Sequence, residues 1–225
     1  LRRSGAGWQT RGYGAHLTRA LREAKAAAET EADVADAVVV GLQGGVLDWP
    51  EDADMLEAFL TRKYYDAIAQ HRIRLLLGSI DHQLRHEDQK EPPASIDYDS
   101  LQIEHVMPKS WKEHWPIVHH DGSALEADES DPLWASLAAE RRSAVDRLGN
   151  LTLVTGTFNR SVSNLAWSSK KPEFEKQKSL VLNYDIAQSQ SWDEDQIAAR
   201  AEVLAAAACR LWPSPKSLLS ADVSL

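Results

Sequence analysis

A single cysteine, Cys209, stands in the 225 residues, so the chain can hold no internal disulfide framework and no CxxC zinc site. Flanked by alanines, Cys209 reads as a buried packing residue. Long apolar runs are also missing. Nothing approaches the roughly 18 uninterrupted apolar residues of a membrane span, and Leu1-Arg2-Arg3-Ser4-Gly5 lacks the apolar core of a signal peptide. These absences point to a cytoplasmic protein with no membrane partner. Net positive charge is lacking too. The formal charge of -9 counts against a simple nucleic-acid-binding domain, because phosphate affinity comes mainly from Lys and Arg.

What is present suits a globular protein: 43% hydrophobic and 26% charged residues are enough to bury a core. The charge is unevenly spread. From Arg141 to Lys178 eight basic residues face only three acids, Asp146, Glu173 and Glu175, whereas acids gather at Asp48 to Asp54 and Glu126 to Asp131. The start on Leu and a glycine- and arginine-rich opening suggest a fragment cut at a domain linker, with residues 1–47 a helical segment or linker of a larger protein and 213–225 a tail.

Hydrophobic spacing outlines the elements. Ala15 to Val40 is rich in Ala, Glu, Leu and Arg without proline and predicts a helix, stopped by Gly41, Gly44 and Gly45. A helix is expected over Glu51 to Leu60, after Trp49-Pro50. From Tyr65 to Arg85, Ala69, Ile73, Leu76, Leu77, Ile80 and Leu84 form one apolar face. Glu87 to Ser100 reads as an exposed connection. Leu101 to Val106 and Leu151 to Thr155 read as short strands, separated by an insert that holds Trp111 and Trp115 and by a helix from Pro132 to about Val145. The stripe Ile197, Ala201, Leu204, Ala208 and Leu211 predicts a last helix ended by Pro213. Few strands among many helices make the fold class α+β, mainly helical.

Three phrases carry chemistry: Ile103-Glu104-His105-Val106-Met107-Pro108, Leu148-Gly149-Asn150-Leu151-Thr152-Leu153, and Phe158-Asn159-Arg160 with Lys170-Lys171 after it. An acid beside a histidine, or Gly-Asn before a strand, is common alone. In this order the three resemble the HNH endonuclease motif, with an acidic-His pair ending one strand, Asn before the second and a ligand on the following helix. The resemblance is closest to the C-terminal nuclease domain of GmrSD-type modification-dependent restriction enzymes and related phosphorothioate-linked phage-defence nickases. It spans about Asp48 to Leu182.

That resemblance implies a small ββα-metal (HNH, His-Me finger) core flanked by helices, within a nuclease domain over 48–212. It implies that His105 is the general base, since an imidazole can take a proton near neutral pH. Glu104 and Asn159 would hold one divalent cation, Mg²⁺ or Mn²⁺, which takes hard oxygen ligands; Asn150 would brace the loop that carries the histidine. Asn164 is a rival to Asn159. Arg160, Lys170 and Lys171 would meet phosphates. The implied partners are double-stranded DNA and an upstream nucleotide-hydrolysing or modification-sensing domain. An HNH site cuts one strand at a time, so double-strand cleavage would call for a homo-oligomer or two visits.

Two rivals stand beside this reading. One is an interaction domain that keeps the scaffold with little catalysis. The other is a zinc site around His114, His119, His120 and Asp121, which lacks the usual ligand spacing. The tryptophans Trp111, Trp115, Trp134 and Trp167 are expected to pack the core rather than stack on bases.

Overall fold

The computed structural model describes residues 2–7, 12–30, 32–42, 49–88, 95–118, 123–177 and 179–214. The chain divides into two compact units, residues 1–58 with 208–225 and residues 59–207. No helix among the described residues is long and apolar enough to cross a membrane.

In the first unit, α1 (Arg2–Gly5) precedes α2 (Tyr13–Glu29) and α3 (Val34–Gly41). The single helix expected over Ala15 to Val40 is therefore two. Asp33 explains the break: its carboxylate accepts from the backbone N–H groups of Ala35 and Asp36 at 2.8 and 3.0 Å, capping a new helix instead of continuing the old one. Gly41 lets the two lie close, since a Cβ there would stand 2.6 Å from the Cα of Ala20. The short α1 is anchored by Arg2, which is buried and donates to the carbonyls of Pro50 and Trp212 and to Asp52. Cys209 is half-buried rather than fully packed, and burial pushes its thiol upward. Gly44, Gly45 and the tail beyond Ser214 lie outside the described residues.

α4 (Asp52–Thr61) leads into the second unit. There α5 (Gln70–Asp88) starts five residues later than the apolar face predicts. Asp66 adopts a left-handed φ of 61°, a conformation that an L-residue helix cannot propagate. β1 (Gln102–His105) pairs antiparallel with β2 (Leu151–Val154), with Glu104 opposite Thr152 and His105 opposite Leu151. Between the strands runs α6 (Pro132–Val145). Asp131 caps it and Pro132 opens it, a position that needs no N–H.

After β2 come α7 (Gly156–Val162), α8 (Trp167–Lys176), α9 (Tyr184–Gln188) and α10 (Glu194–Leu211). The described residues are thus mainly helical, with one two-stranded antiparallel sheet among them. Trp111, Trp115 and Trp134 are buried in the core with Val106, Met107, Phe158, Phe174 and Ile197, and Trp167 packs on its edge. The expected packing role of these rings holds. The acidic stretch before α6 is exposed, with Glu129 paired to Lys112 at 2.6 Å.

Candidate active site

The phrase Leu148-Gly149-Asn150 forms a buried turn that delivers the chain into β2. α10 crosses directly over it. A Cβ on Gly149 would lie 2.0 Å from the carbonyl oxygen of Ile197, so glycine is required by the close approach. Arg200, also on α10, donates to the carbonyls of Gly149 and Leu151, both at 2.8 Å. It is buried and pairs with no carboxylate among the described residues, and this burial lowers its pKa to about 10.

Asn150, held in this clamp, is fully buried and uses its whole hydrogen-bonding capacity. Its Oδ1 accepts from Met107 N–H at 2.8 Å and from the Trp192 indole at 3.0 Å. Its amide nitrogen donates to the carbonyls of Met107 and Val145, both at 2.8 Å. A buried carboxamide with four partners is rigid. It ties the segment after His105 to the end of α6 and the start of β2.

Strand alternation sends adjacent side chains to opposite faces, and Glu104 and His105 meet different neighbours. Glu104 is buried, with Oε1 2.7 Å from the Lys170 ammonium on α8; that ammonium also donates to the His105 carbonyl at 2.8 Å. Burial pushes Glu104 upward and Lys170 downward, and their mutual attraction opposes both shifts. His105 instead meets Asp146 just after α6, Nε2 to Oδ1 at 3.1 Å, and its ring packs edge-on against Tyr65 with centroids 4.4 Å apart. Asp146 also faces Lys63 at 2.9 Å and Lys109 at 3.6 Å. Burial works against its charge, but the His105 hydrogen bond and the two lysines prevail and hold the carboxyl down to about 2.

Asn159 lies on α7, and its amide nitrogen donates to Gln102 Oε1 at 2.9 Å. Gln102 shares a strand face with Glu104, two residues on. Arg160 is exposed beside this pair: the space next to the Gly156 Cα touches both the Gln102 amide, at 3.2 Å, and the Arg160 guanidinium, at 3.7 Å. Asn164 is exposed past the end of α7.

Two of the expected phosphate contacts look different in three dimensions. Lys170 is wholly buried against Glu104, so its ammonium is not presented to a phosphate, and that expectation is corrected. Lys171 donates to the Ala187 carbonyl at 2.9 Å and pairs with Glu175 at 2.8 Å. Arg160 is exposed on α7. Asp146 is the residue the sequence reading passed over, counted there only as an acid within a basic stretch.

Among the described residues no group of three or more His, Cys, Asp or Glu could hold a metal. His119, His120 and Asp121 lie outside them, and His114 is exposed beside Glu113. The oxygens of Glu104 and Asn159 are a donor set that a hard cation accepts while keeping several waters. The Asn159 amide nitrogen is engaged by Gln102, and no hydrogen bond falls on its Oδ1 among the described residues.

An imidazole beside a carboxylate, with a carboxamide and a guanidinium on the adjoining helix, is a set of groups that can bind anions and move protons. A model of the family "GmrSD restriction endonucleases, C-terminal domain" matches residues 49–207, and the chain belongs to that family. It is a restriction-endonuclease domain. None of the curated proteins matches it.

Proposed function

We propose that this domain is a divalent-metal-dependent DNA endonuclease of the HNH type, with β1, β2 and α7 as its ββα-metal core. The observation that carries this reading is the order of these groups along the paired strands: Glu104 and His105 close β1, Asn150 locks the segment that follows them, and Asn159, hydrogen-bonded to Gln102 at the start of the same strand, and Arg160 stand on the helix after β2.

In this reading His105 removes a proton from a water as that water attacks phosphorus, the P–O bond to the leaving sugar oxygen breaks, and that oxygen is protonated from solvent. Glu104 and Asn159 would hold the cation, which when bound would supply charge stabilisation for the phosphoryl oxygens. Arg160 meets a phosphate and orients the backbone. Glu104 serves two partners, because Lys170 fixes one carboxylate oxygen and leaves the other for the cation. Duplex DNA is the proposed substrate, brought by a further domain that offsets the net acidity, and double-strand cleavage would use two copies.

Supercoiled plasmid incubated with the purified chain and Mg²⁺ or Mn²⁺ tests this. Relaxed circles are expected from the parent, and His105→Ala and Asn159→Ala should lose on the order of 10²-fold or more of the rate. Parent-level nicking by His105→Ala would sink the assignment. Metal-independent DNA binding without cleavage would instead favour an interaction domain on the same scaffold.

A further inference from the structure

We propose that Asp146 is a positioning residue that fixes the His105 imidazole with its proton on Nε2, leaving Nδ1 as the nitrogen that accepts a proton. This rests on the reading of His105 as the base. An ionised carboxylate only accepts hydrogen bonds, and Asp146 is kept ionised by Lys63 at 2.9 Å on Oδ2 and Lys109 at 3.6 Å on Oδ1. Its Oδ1 lies 3.1 Å from His105 Nε2, so the neutral imidazole must carry its proton there. No hydrogen bond falls on Nδ1 among the described residues, and the side chain is 13% exposed. Nδ1 thus keeps a lone pair that none of the described residues engages.

The surroundings hold both partners still. The Asp146 backbone carbonyl accepts from the N–H groups of Tyr64 and Tyr65 at 2.8 and 3.2 Å, and the Tyr65 ring packs edge-on against His105 and has the Lys109 ammonium 4.5 Å from its centroid. Lys109 in turn pairs with Asp66 at 2.6 Å. When Nδ1 takes a proton, the anionic Asp146 stabilises the imidazolium, as the buried aspartate does in a Ser-His-Asp triad. No proton passes to Asp146.

Lys63 makes the test specific. In Asp146→Asn the Lys63 ammonium can only donate, and at 2.9 Å it outweighs Lys109, which stands at 3.6 Å and is already paired with Asp66, so Lys63 holds the amide oxygen and turns the amide NH₂ toward His105. Nε2 must then accept, and the imidazole proton moves to Nδ1. The ¹⁵N spectrum of neutral His105, assigned by its absence in His105→Ala, should show the Nε2–H tautomer in the parent and the Nδ1–H tautomer in Asp146→Asn. Nicking by Asp146→Asn should fall on the order of 10²–10⁴-fold in kcat, with KM for DNA unchanged. Adding Lys63→Ala to Asp146→Asn frees the amide to flip, and should restore the Nε2–H tautomer and part of the rate. A merely structural role would make the double variant worse. An Nδ1–H tautomer in the parent, an unchanged tautomer in Asp146→Asn, or no return of Nε2–H in the double variant overturns the proposal. Should no variant nick, the spectra still decide it, whereas the plasmid assay decides the reading of the site.

Discussion

At the scale of single residues, Asn150 and Asp146 show what a sequence can and cannot reveal. The role of Asn150 is legible because it sits inside a short phrase whose neighbours are local: the turn, β2 and a backbone loop. Four hydrogen bonds then follow from one buried carboxamide. Asn150→Ala would orphan the Met107 N–H, the Trp192 indole and two carbonyls. Each buried unsatisfied group costs about 1–3 kcal/mol, and relaxation recovers part of the total, so a loss of about 3 kcal/mol is expected in urea unfolding. A loss under about 1 kcal/mol would show that the brace is dispensable. Asp146 was not legible, because its partner His105 lies 41 residues earlier, and nothing local marks an acid as the backing of a distant imidazole. Its place directly before the Arg147-Leu148-Gly149-Asn150 phrase is the one sequence signal that could have drawn attention to it.

At the scale of elements, the apolar stripes of α5 and α10 and the proline-opened α6 were readable in advance, since period and caps are local properties. The misreadings at Asp33 and Asp66 were local as well: each is an aspartate whose side chain or backbone breaks a helix that composition alone would continue. The contact between β1 and α8 was not readable. Lys170 and Glu104 are 66 residues apart, and a lysine next to Lys171 looks like part of a solvent-facing basic run. In the structure it is a buried link that holds α8 to the strand end. Removing one partner of a buried pair strands the other charge, whereas replacing both by apolar groups relieves the desolvation. Lys170→Met should therefore destabilise by about 3–5 kcal/mol, and Glu104→Leu with Lys170→Met should recover much of that loss in a double-mutant cycle. If the double variant is as unstable as the sum of the two singles, the ion pair is not what joins these elements.

At the scale of the whole molecule, the basic segment read from the sequence dissolves into pairs. Arg141 is held by Glu194, Arg147 by Glu140, Lys170 by Glu104, Lys171 by Glu175 and Lys176 by Glu173. Three of those acids, Glu194, Glu140 and Glu104, come from outside the stretch, which is why a local charge count overstated the basic face. Lys178 lies outside the described residues. Arg142 and Arg160 are exposed and make no ion pair among the described residues, and of the two Arg160 stands beside Gln102 and Asn159. If the proposed DNA path runs over this face, its few cations outside ion pairs among the described residues predict a weak, shallow salt dependence for the domain alone. Each phosphate contact contributes about 0.9 to the slope of log affinity against log salt, so Arg160→Gln should lower that slope by about 1 in fluorescence anisotropy with duplex DNA across a NaCl series. Lys171→Gln should leave the slope unchanged, because its ammonium already has two partners. A drop in slope for Lys171→Gln with none for Arg160→Gln would move the DNA path from the α7 face to the α8 face, and with it the side from which the phosphate approaches His105.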